Sequence, residues 1–234
     1  MTAPSLVILT GAGISAESGL ATFRDTGGIW SRVRIEDVAT PEAFARDPAR
    51  VHAFYNARRA QLRDPVIQPN AAHRALAELD ARWPGELLLV TQNVDDLHSR
   101  AGSRRLLPMH GELMKARCQR CEAVTPWEDD LSTATACPAC GEAAGMRPHV
   151  VWFGEMPFGM ERIGAALEGC DLFAAIGTSG QVYPAAGFVA QVAGRARSIE
   201  FNLEPSGGRF DELRLGPATV TVPRFVADLL SACA

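Results

Sequence analysis

Short hydrophobic runs alternate along the chain with longer stretches in which apolar residues recur at helical spacing. The apolar runs predict strands at residues 5–10, 86–91, 172–177, 198–202 and, at an edge, 218–222, and the periodic stretches predict helices at 71–82, 182–193 and from Pro223 through Leu230. Strands that alternate with amphipathic helices are typical of a parallel sheet covered by helices. The pattern therefore predicts an α/β fold.

Two segments interrupt this alternation. Residues 33–75 have a helical pattern with Pro41 at a helix start, and residues 115–147 contain four cysteines. We expect these two inserts to form a smaller domain beside the sheet. The main domain would then consist of residues 1–32, 76–114 and 148–234.

The four cysteines form two tight pairs, Cys118-Gln-Arg-Cys121 and Cys137-Pro-Ala-Cys140. Two such turns supply the tetrahedral set of four thiolates that zinc prefers, with no position left open for chemistry. Two disulfides or a redox dithiol are the alternatives. Disulfides are rare in cytosolic proteins, and we predict one structural zinc ion.

The composition of the chain limits which classes of function we expect. The chain has 234 residues, 47% of them hydrophobic, and a net charge of −4. No apolar run reaches the roughly 18 to 20 residues that span a bilayer, and no signal sequence precedes the first predicted strand. The slight acidity gives no reason to expect a nucleic-acid partner. We expect a cytoplasmic enzyme without membrane attachment.

Candidate chemistry lies where predicted strands end. Gly11 and Gly13 follow the first strand and precede a helix, which is the context of a phosphate-binding turn, although such glycines are also found in simple tight turns. Asn93 and Asp95 follow the second strand, at the sheet edge where ligands of parallel sheets bind. The same two residues could instead cap a helix that begins near Asp95.

A series of motifs then extends in order over residues 5–225. It comprises GAGIS, ESGLATFRD, GGIW, TQNVD, HGEL, the two cysteine pairs, RPHVVWFGE, GTSGQVY and FNL. This series resembles the sirtuin family of NAD-dependent protein deacylases. The resemblance implies a Rossmann-like domain, a smaller domain that contains zinc and helices, and NAD as cosubstrate in the cleft between them.

The resemblance also implies which residues contact NAD. Some hold the nicotinamide and its ribose, some cover the ribose and the phosphates, and others hold the adenosine. They are Gly11, Ala12, Gly13, Ile14, Glu17, Thr22, Phe23, Arg24, Gln92, Asn93, Val94, Asp95, Gly177, Thr178, Ser179, Asn202, Leu203 and Ala218.

Catalysis is assigned by the same resemblance to His110 and Asn93. The acyl oxygen of a modified lysine would attack the nicotinamide ribose and release nicotinamide, and His110 would then act as general base on the ribose hydroxyls. The products would be free lysine and O-acyl-ADP-ribose. The other histidines are His52, His73, His98 and His149, and we interpret all four as structural.

Substrate residues fall into two groups. An extended peptide is expected to add as a strand between two segments that contain Val151, Phe153, Gly154, Glu155, Gly180 and Val182. Tyr55 and Arg58 stand three apart on one helical face and could bind the distal carboxylate of a succinyl, malonyl or glutaryl group. This pattern resembles class III sirtuins, the desuccinylases and demalonylases with their bacterial relatives. Thr26 departs from it, because that class often has alanine there.

Other functions remain open at this point. A Rossmann dehydrogenase would require an acidic residue about 20 positions after a GxGxxG turn, and that spacing does not follow Gly11. A zinc-binding module without catalysis would leave Asn93, Asp95 and His110 without a role. Protein mono-ADP-ribosylation, or deacetylation without a preference for acidic acyl groups, would use the same fold.

Overall fold

The computed structural model describes residues 3–20 and 33–232, which form a main sheet, a small sheet and the helices around them. The strands are β1 (Leu6–Thr10), β2 (Leu87–Thr91), β3 (Leu106–Pro108), β4 (Gly111–Cys118), β5 (Val124–Pro126), β6 (Met146–Val150), β7 (Leu172–Ile176), β8 (Arg197–Asn202) and β9 (Glu212–Leu215). The main sheet has the order β3-β2-β1-β7-β8-β9, and every neighbouring pair in it is parallel.

Helices cover both faces of the main sheet. The helices are α1 (Gly13–Ala16), α2 (Ile35–Val38), α3 (Pro41–Arg46), α4 (Pro48–Leu62), α5 (Ala71–Arg82), α6 (Leu97–Ala101), α7 (Met160–Gly169), α8 (Phe188–Val192) and α9 (Ala218–Ser231). α5 and α9 bury their apolar side chains against one face, and α7 and α8 against the other. Burial on both faces explains why the central strands are continuous apolar runs.

Within residues 3–20 and 33–232, no helix has the combination of length and apolar character that crossing a bilayer requires.

The predicted fold class is confirmed, with one strand wrongly assigned. The predicted strands at 5–10, 86–91, 172–177 and 198–202 correspond to β1, β2, β7 and β8. Residues 218–222 are not an edge strand; they form the start of α9, and the edge strand is β9. The alternation of threonine and valine favoured a strand. A helix forms there instead, because Val222, Phe225 and Val226 share one helical face and are buried against the sheet.

The last helix therefore begins five residues before Pro223, which lies inside it. The helix predicted at 182–193 is shorter, with a 3₁₀ turn at Ala185–Gly187 followed by α8. No strand was predicted at β3, β4, β5, β6 or β9, and no helix at α7.

The second, smaller layer contains the antiparallel sheet β5-β4-β6 and helices α2 to α4. Proline is the first residue of α3 and of α4. Thr40 Oγ1 accepts a hydrogen bond from the Ala43 amide, and Asp47 Oδ1 accepts one from the Arg50 amide, so both helices are capped. One apolar cluster joins these helices to β4 and β6.

The register of the main sheet places the candidate residues together. Thr10 at the end of β1 pairs with Thr91 of β2 and Ile176 of β7. The loops that leave these three strands therefore start side by side at the carboxyl edge, where ligands of parallel sheets bind.

Candidate active site

The glycine turn after β1 packs directly against the turn after β7. The Gly11 amide donates to the Ile176 carbonyl at 3.0 Å, and the Gly13 amide donates to the Gly177 carbonyl at 2.8 Å. A Cβ on Gly11 would stand 2.8 Å from the Gly177 oxygen, and one on Gly177, where φ is +60°, would stand 2.4 Å from the Ile14 nitrogen. These glycines therefore allow two backbones to touch. Direct contact with a phosphate stays a prediction for them.

Asn93 is held in the adjacent loop by two acceptors. Its Nδ2 donates to the Gly11 carbonyl at 3.1 Å and to Ser15 Oγ at 3.2 Å, and the side chain is buried. Ser15 Oγ in turn donates to Asp95 Oδ2 at 2.9 Å. Burial raises the pKa of the Asp95 carboxyl, against the hydrogen bonds from the Leu97 amide and Ser15. Asp95 thus caps α6 and also lies within the candidate site.

Two buried histidines contact the residues around this loop, His73 at Ser15 and His98 at Thr10. His73 Nδ1 accepts a hydrogen bond from the Asn70 amide at 3.3 Å, so the proton is on Nε2, which lies 3.4 Å from Ser15 Oγ. His98 Nε2 lies 3.0 Å from Thr10 Oγ1. Burial lowers the pKa of His73 to about 4 and that of His98 well below its usual value. Both imidazoles are therefore neutral at physiological pH.

Ser15, Asn70 and His73 were not selected from the sequence. Asn70 Nδ2 also donates to the Ile14 carbonyl at 2.8 Å, which connects the cap of α5 to the glycine turn. The spacing Asn-x-x-His just before an apolar helix was the available signal, because it matches a helix cap with a side chain that folds back.

His110 lies in the loop between β3 and β4. Its Nδ1 is 3.0 Å from the Gln92 carbonyl oxygen, which can only accept, so Nδ1 carries the proton and Nε2 the lone pair. Burial lowers the pKa of His110, while the Gln92 carbonyl opposes that shift. Since Asn93 directly follows Gln92, His110 contacts the loop that contains the other predicted catalytic residue.

The predicted adenosine residues lie at the ends of β7 and β8. Asn202 Nδ2 donates to the Thr178 carbonyl at 2.9 Å, and Gln92 Nε2 donates to Thr178 Oγ1 at 3.0 Å. The Glu17 carboxylate accepts from the amide and hydroxyl of Thr219 at 3.1 and 2.6 Å. Glu17 thus ties the glycine turn to the start of α9, next to Ala218.

The remaining predicted NAD residues are distributed as follows. Ile14 is fully buried, Leu203 is exposed, and Val94 is half-buried with its carbonyl accepting from the Leu113 amide. Ala12 precedes α1, and Ser179 Oγ accepts from the Gln181 amide at 3.3 Å. Thr22, Phe23, Arg24 and Thr26 lie outside the described residues.

Tyr55 and Arg58 lie on α4 at the boundary with the main domain. The buried Tyr55 hydroxyl oxygen accepts a hydrogen bond from Trp152 Nε1 at 3.0 Å. Burial raises the pKa of Tyr55 to about 12, so the phenol is protonated at neutral pH. Burial also lowers the pKa of Arg58, against the charges of Tyr55 and Asp95. The charge of Asp95, two residues after Asn93, thus acts on Arg58.

The predicted peptide segment after β6 is anchored by its own backbone. The Val151 amide donates to the His110 carbonyl at 2.8 Å, and the Phe153 amide donates to the Ala39 carbonyl at 2.9 Å. The Glu155 carboxylate accepts two hydrogen bonds from the buried Arg147 guanidinium, at 2.7 and 2.8 Å. An added peptide strand would have to use the other backbone groups of this segment, including those of Gly154.

The second predicted peptide segment joins β7 to the 3₁₀ turn. Gly180 has a φ of +66°, and the Val182 carbonyl accepts from the Ala186 amide at 2.9 Å. Tyr183 is 78% exposed and available for contact with another chain.

The four cysteines of the small domain converge on one point. Their Sγ atoms all lie within 4.8 Å of one another, with 3.8 Å between Cys118 and Cys140 and 3.7 Å between Cys121 and Cys137. A tetrahedron of thiolates about 2.3 Å from a zinc ion has edges of about 3.8 Å, so the cluster fits this metal. Hydrogen bonds from the Cys121 and Arg120 amides lower the pKa of the Cys118 thiol to about 7, which favours a thiolate ligand.

Comparisons with known proteins agree with this geometry. The sequence profile described as "Sir2 family" matches residues 11–184. A protein of Bdellovibrio bacteriovorus named NAD-dependent protein deacylase is 58% identical over 228 residues, which cover 97% of this chain and 97% of the relative.

Solved structures are similar over nearly the whole chain. A crystal structure of a Sir2 homolog in complex with NAD has a TM-score of 0.86 and 40% identity, covering 98% of this chain and 91% of its own. A Sir2 protein bound to a myristoylated histone peptide has a TM-score of 0.74 and 31% identity, covering 98% and 92%. By profile, sequence and structure, the chain belongs to the Sir2, or sirtuin, family.

Proposed function

We propose that this chain removes acyl groups from lysine side chains of proteins in a reaction that consumes NAD, with a preference for acyl groups that end in a carboxylate. The name of the Bdellovibrio relative and the NAD-bound Sir2 homolog support the reaction class. The main observation in favour of this reaction is the position of His110. The Gln92 carbonyl, next to Asn93, accepts from Nδ1 of His110 and so leaves Nε2 free to act as the base.

Bound NAD supplies the ribose carbon that accepts the acyl oxygen as nicotinamide leaves. His110 Nε2 would accept a proton from a ribose hydroxyl, because Nδ1 is already protonated and burial keeps the ring neutral. Asn93 and Asp95 would orient the nicotinamide end, since Ser15 Oγ contacts both side chains. Thr178 and Asn202 would hold the adenosine half.

The zinc ion would be structural. The four thiolates of Cys118, Cys121, Cys137 and Cys140 fill a tetrahedral shell, so no coordination position is left for substrate. We also propose a cytoplasmic location. Four free thiols support it, because they persist in compartments where disulfides do not form.

The preference for an acidic acyl group rests on Tyr55 and Arg58. The guanidinium stays charged at any physiological pH and presents a planar set of donors, and the phenol adds an O–H donor. The two residues lie about one helical turn apart on α4, and the charge of Asp95 acts on Arg58. A carboxylate at the end of the acyl chain would pair with both groups, whereas an acetyl group would reach neither.

The experiment compares one peptide with succinyl-lysine, malonyl-lysine or acetyl-lysine on the wild type and on Arg58→Met. Loss of a charge-assisted pair costs about 1.5 to 3 kcal/mol, so kcat/KM for the acidic acyl groups should fall by about 10- to 100-fold, and that for acetyl-lysine far less. Arg50→Met is the matched control, because Arg50 is on the same helix and its exposed guanidinium pairs with Asp37. Equal losses on all three peptides would contradict the preference.

A further inference from the structure

Trp152 stands between the predicted peptide segment and the predicted acyl pocket. It is one of the largest fully buried side chains, with 2% of its surface exposed. Its indole Nε1 donates to the Tyr55 hydroxyl oxygen at 3.0 Å, and its ring lies 5.2 Å from that of Phe44. A single side chain thus joins the loop after β6 to helix α4.

The indole is fixed in place from several directions. The Arg147 guanidinium carbon lies 3.4 Å from the ring centroid, and the same guanidinium makes the two hydrogen bonds to Glu155. The Trp152 amide donates to Glu155 Oε2 at 2.8 Å. The neighbouring amides of Val151 and Phe153 are held by the His110 and Ala39 carbonyls. Because these contacts hold the indole of Trp152 in place, its N–H points in a single direction.

This donor determines where the proton of Tyr55 points. The indole N–H occupies an acceptor position of the phenol oxygen, so the hydroxyl proton cannot point toward Trp152. That proton is therefore directed away from the indole. Arg58, the charged neighbour of Tyr55, has donors only and cannot accept that proton, but a carboxylate bound to Arg58 can.

We propose that Trp152 is a positioning residue for acidic acyl groups, because its indole N–H orients the Tyr55 hydroxyl as a donor to the acyl carboxylate. The inference rests on the proposed preference for such groups. It assigns Arg147 and Glu155 to the support of the indole. The Glu155 carboxylate takes part in this support, whereas the peptide contact predicted for its segment is a backbone contact.

The test is a double-mutant cycle of Trp152→Phe and Tyr55→Phe, with succinyl-lysine and acetyl-lysine versions of one peptide. Trp152→Phe keeps an aromatic ring beside Arg147 and removes the indole donor. We expect the succinyl-to-acetyl ratio of kcat/KM to fall by about five- to tenfold, mainly through KM for the succinyl peptide, as for one oriented hydrogen bond. In the Tyr55→Phe background, Trp152→Phe should leave the ratio unchanged.

Phe44→Leu is the matched control, because Phe44 packs on the same indole without touching its N–H. It should lower the melting temperature without changing the ratio. A Trp152→Phe enzyme that loses activity equally on both peptides, or that changes the ratio equally with and without the Tyr55 hydroxyl, would overturn the inference. A wild type without preference for the succinyl peptide would instead refute the proposed acyl preference, and this inference with it.

Discussion

The chemistry proposed at residue 110 depends on one backbone contact and on burial. The Gln92 carbonyl fixes the tautomer of His110, and burial lowers the pKa of the ring. Asn93, one residue after Gln92, is fixed by the Gly11 carbonyl and Ser15. The base and the amide are therefore positioned by the same short loop, so a shift of that loop would move both.

The lowered pKa of His110 predicts the pH dependence of the reaction. A general base works in its neutral form, so kcat/KM should rise with pH, and the midpoint of that rise should lie below the usual histidine value of about 6.5. A pH profile with succinyl-lysine peptide and saturating NAD measures this. An acid limb with its midpoint clearly above that value, or a profile without an acid limb, would contradict His110 as the base.

At the scale of one element, helix α5 depends on a cap that can titrate. Asn70 Oδ1 accepts from the Ala72 amide at 3.0 Å, and His73 Nδ1 accepts from the Asn70 amide at 3.3 Å. Protonation of Nδ1 would remove that acceptor and place a charge beside His98, whose ring is 4.8 Å away. The cap therefore requires neutral His73.

The free energy of unfolding should consequently depend on pH through His73. The folded pKa of about 4 lies below the usual value of 6.5, so between these pH values the unfolded chain binds more protons and the folded state loses stability as pH falls. The loss should reach up to about 3 kcal/mol. His73→Gln keeps a side chain that can cap but does not titrate.

Urea unfolding of the wild type and of His73→Gln at several pH values between 7.5 and 4.5 isolates this contribution. The variant should gain stability relative to the wild type as the pH decreases. A difference between the two proteins that is constant over this range would show that His73 does not carry the effect.

At the scale of the whole molecule, much of the fold follows from the sequence and some of it does not. The strands β1, β2 and β7 are buried on both faces and read as plain apolar runs. β9 lies at an edge and alternates polar with apolar residues, so its pattern is weak. The start of α9 looks like a strand until its contacts with the sheet are known.

The candidate site likewise contains residues that the sequence predicts and residues that only the structure reveals. The loop residues 92, 93 and 110 could be named from motifs, and the structure places them together. Arg59 could not be found, because only the fold shows that it is buried and donates to the Leu113 and Asp129 carbonyls, where it ties α4 to the small sheet. Trp152 likewise gains its contact with Tyr55 from residues almost a hundred positions apart.

Removal of the metal tests the small domain as a unit. Cys140→Ser should abolish binding of one zinc ion per chain and lower the melting temperature, because the apolar cluster beside the cysteines is small and cannot replace the metal. Cys170→Ser, at a buried cysteine outside the cluster, should retain the metal. Elemental analysis and thermal unfolding measure both effects. Full zinc content in Cys140→Ser would contradict the assignment.

Mass spectrometry of the products from a succinyl-lysine peptide and NAD tests the central claim most directly. The account predicts equal amounts of free-lysine peptide, nicotinamide and O-succinyl-ADP-ribose from the wild type, and neither free-lysine peptide nor O-succinyl-ADP-ribose from His110→Tyr. A peptide that gains the mass of ADP-ribose, or that loses its succinyl group equally well without NAD, would contradict it.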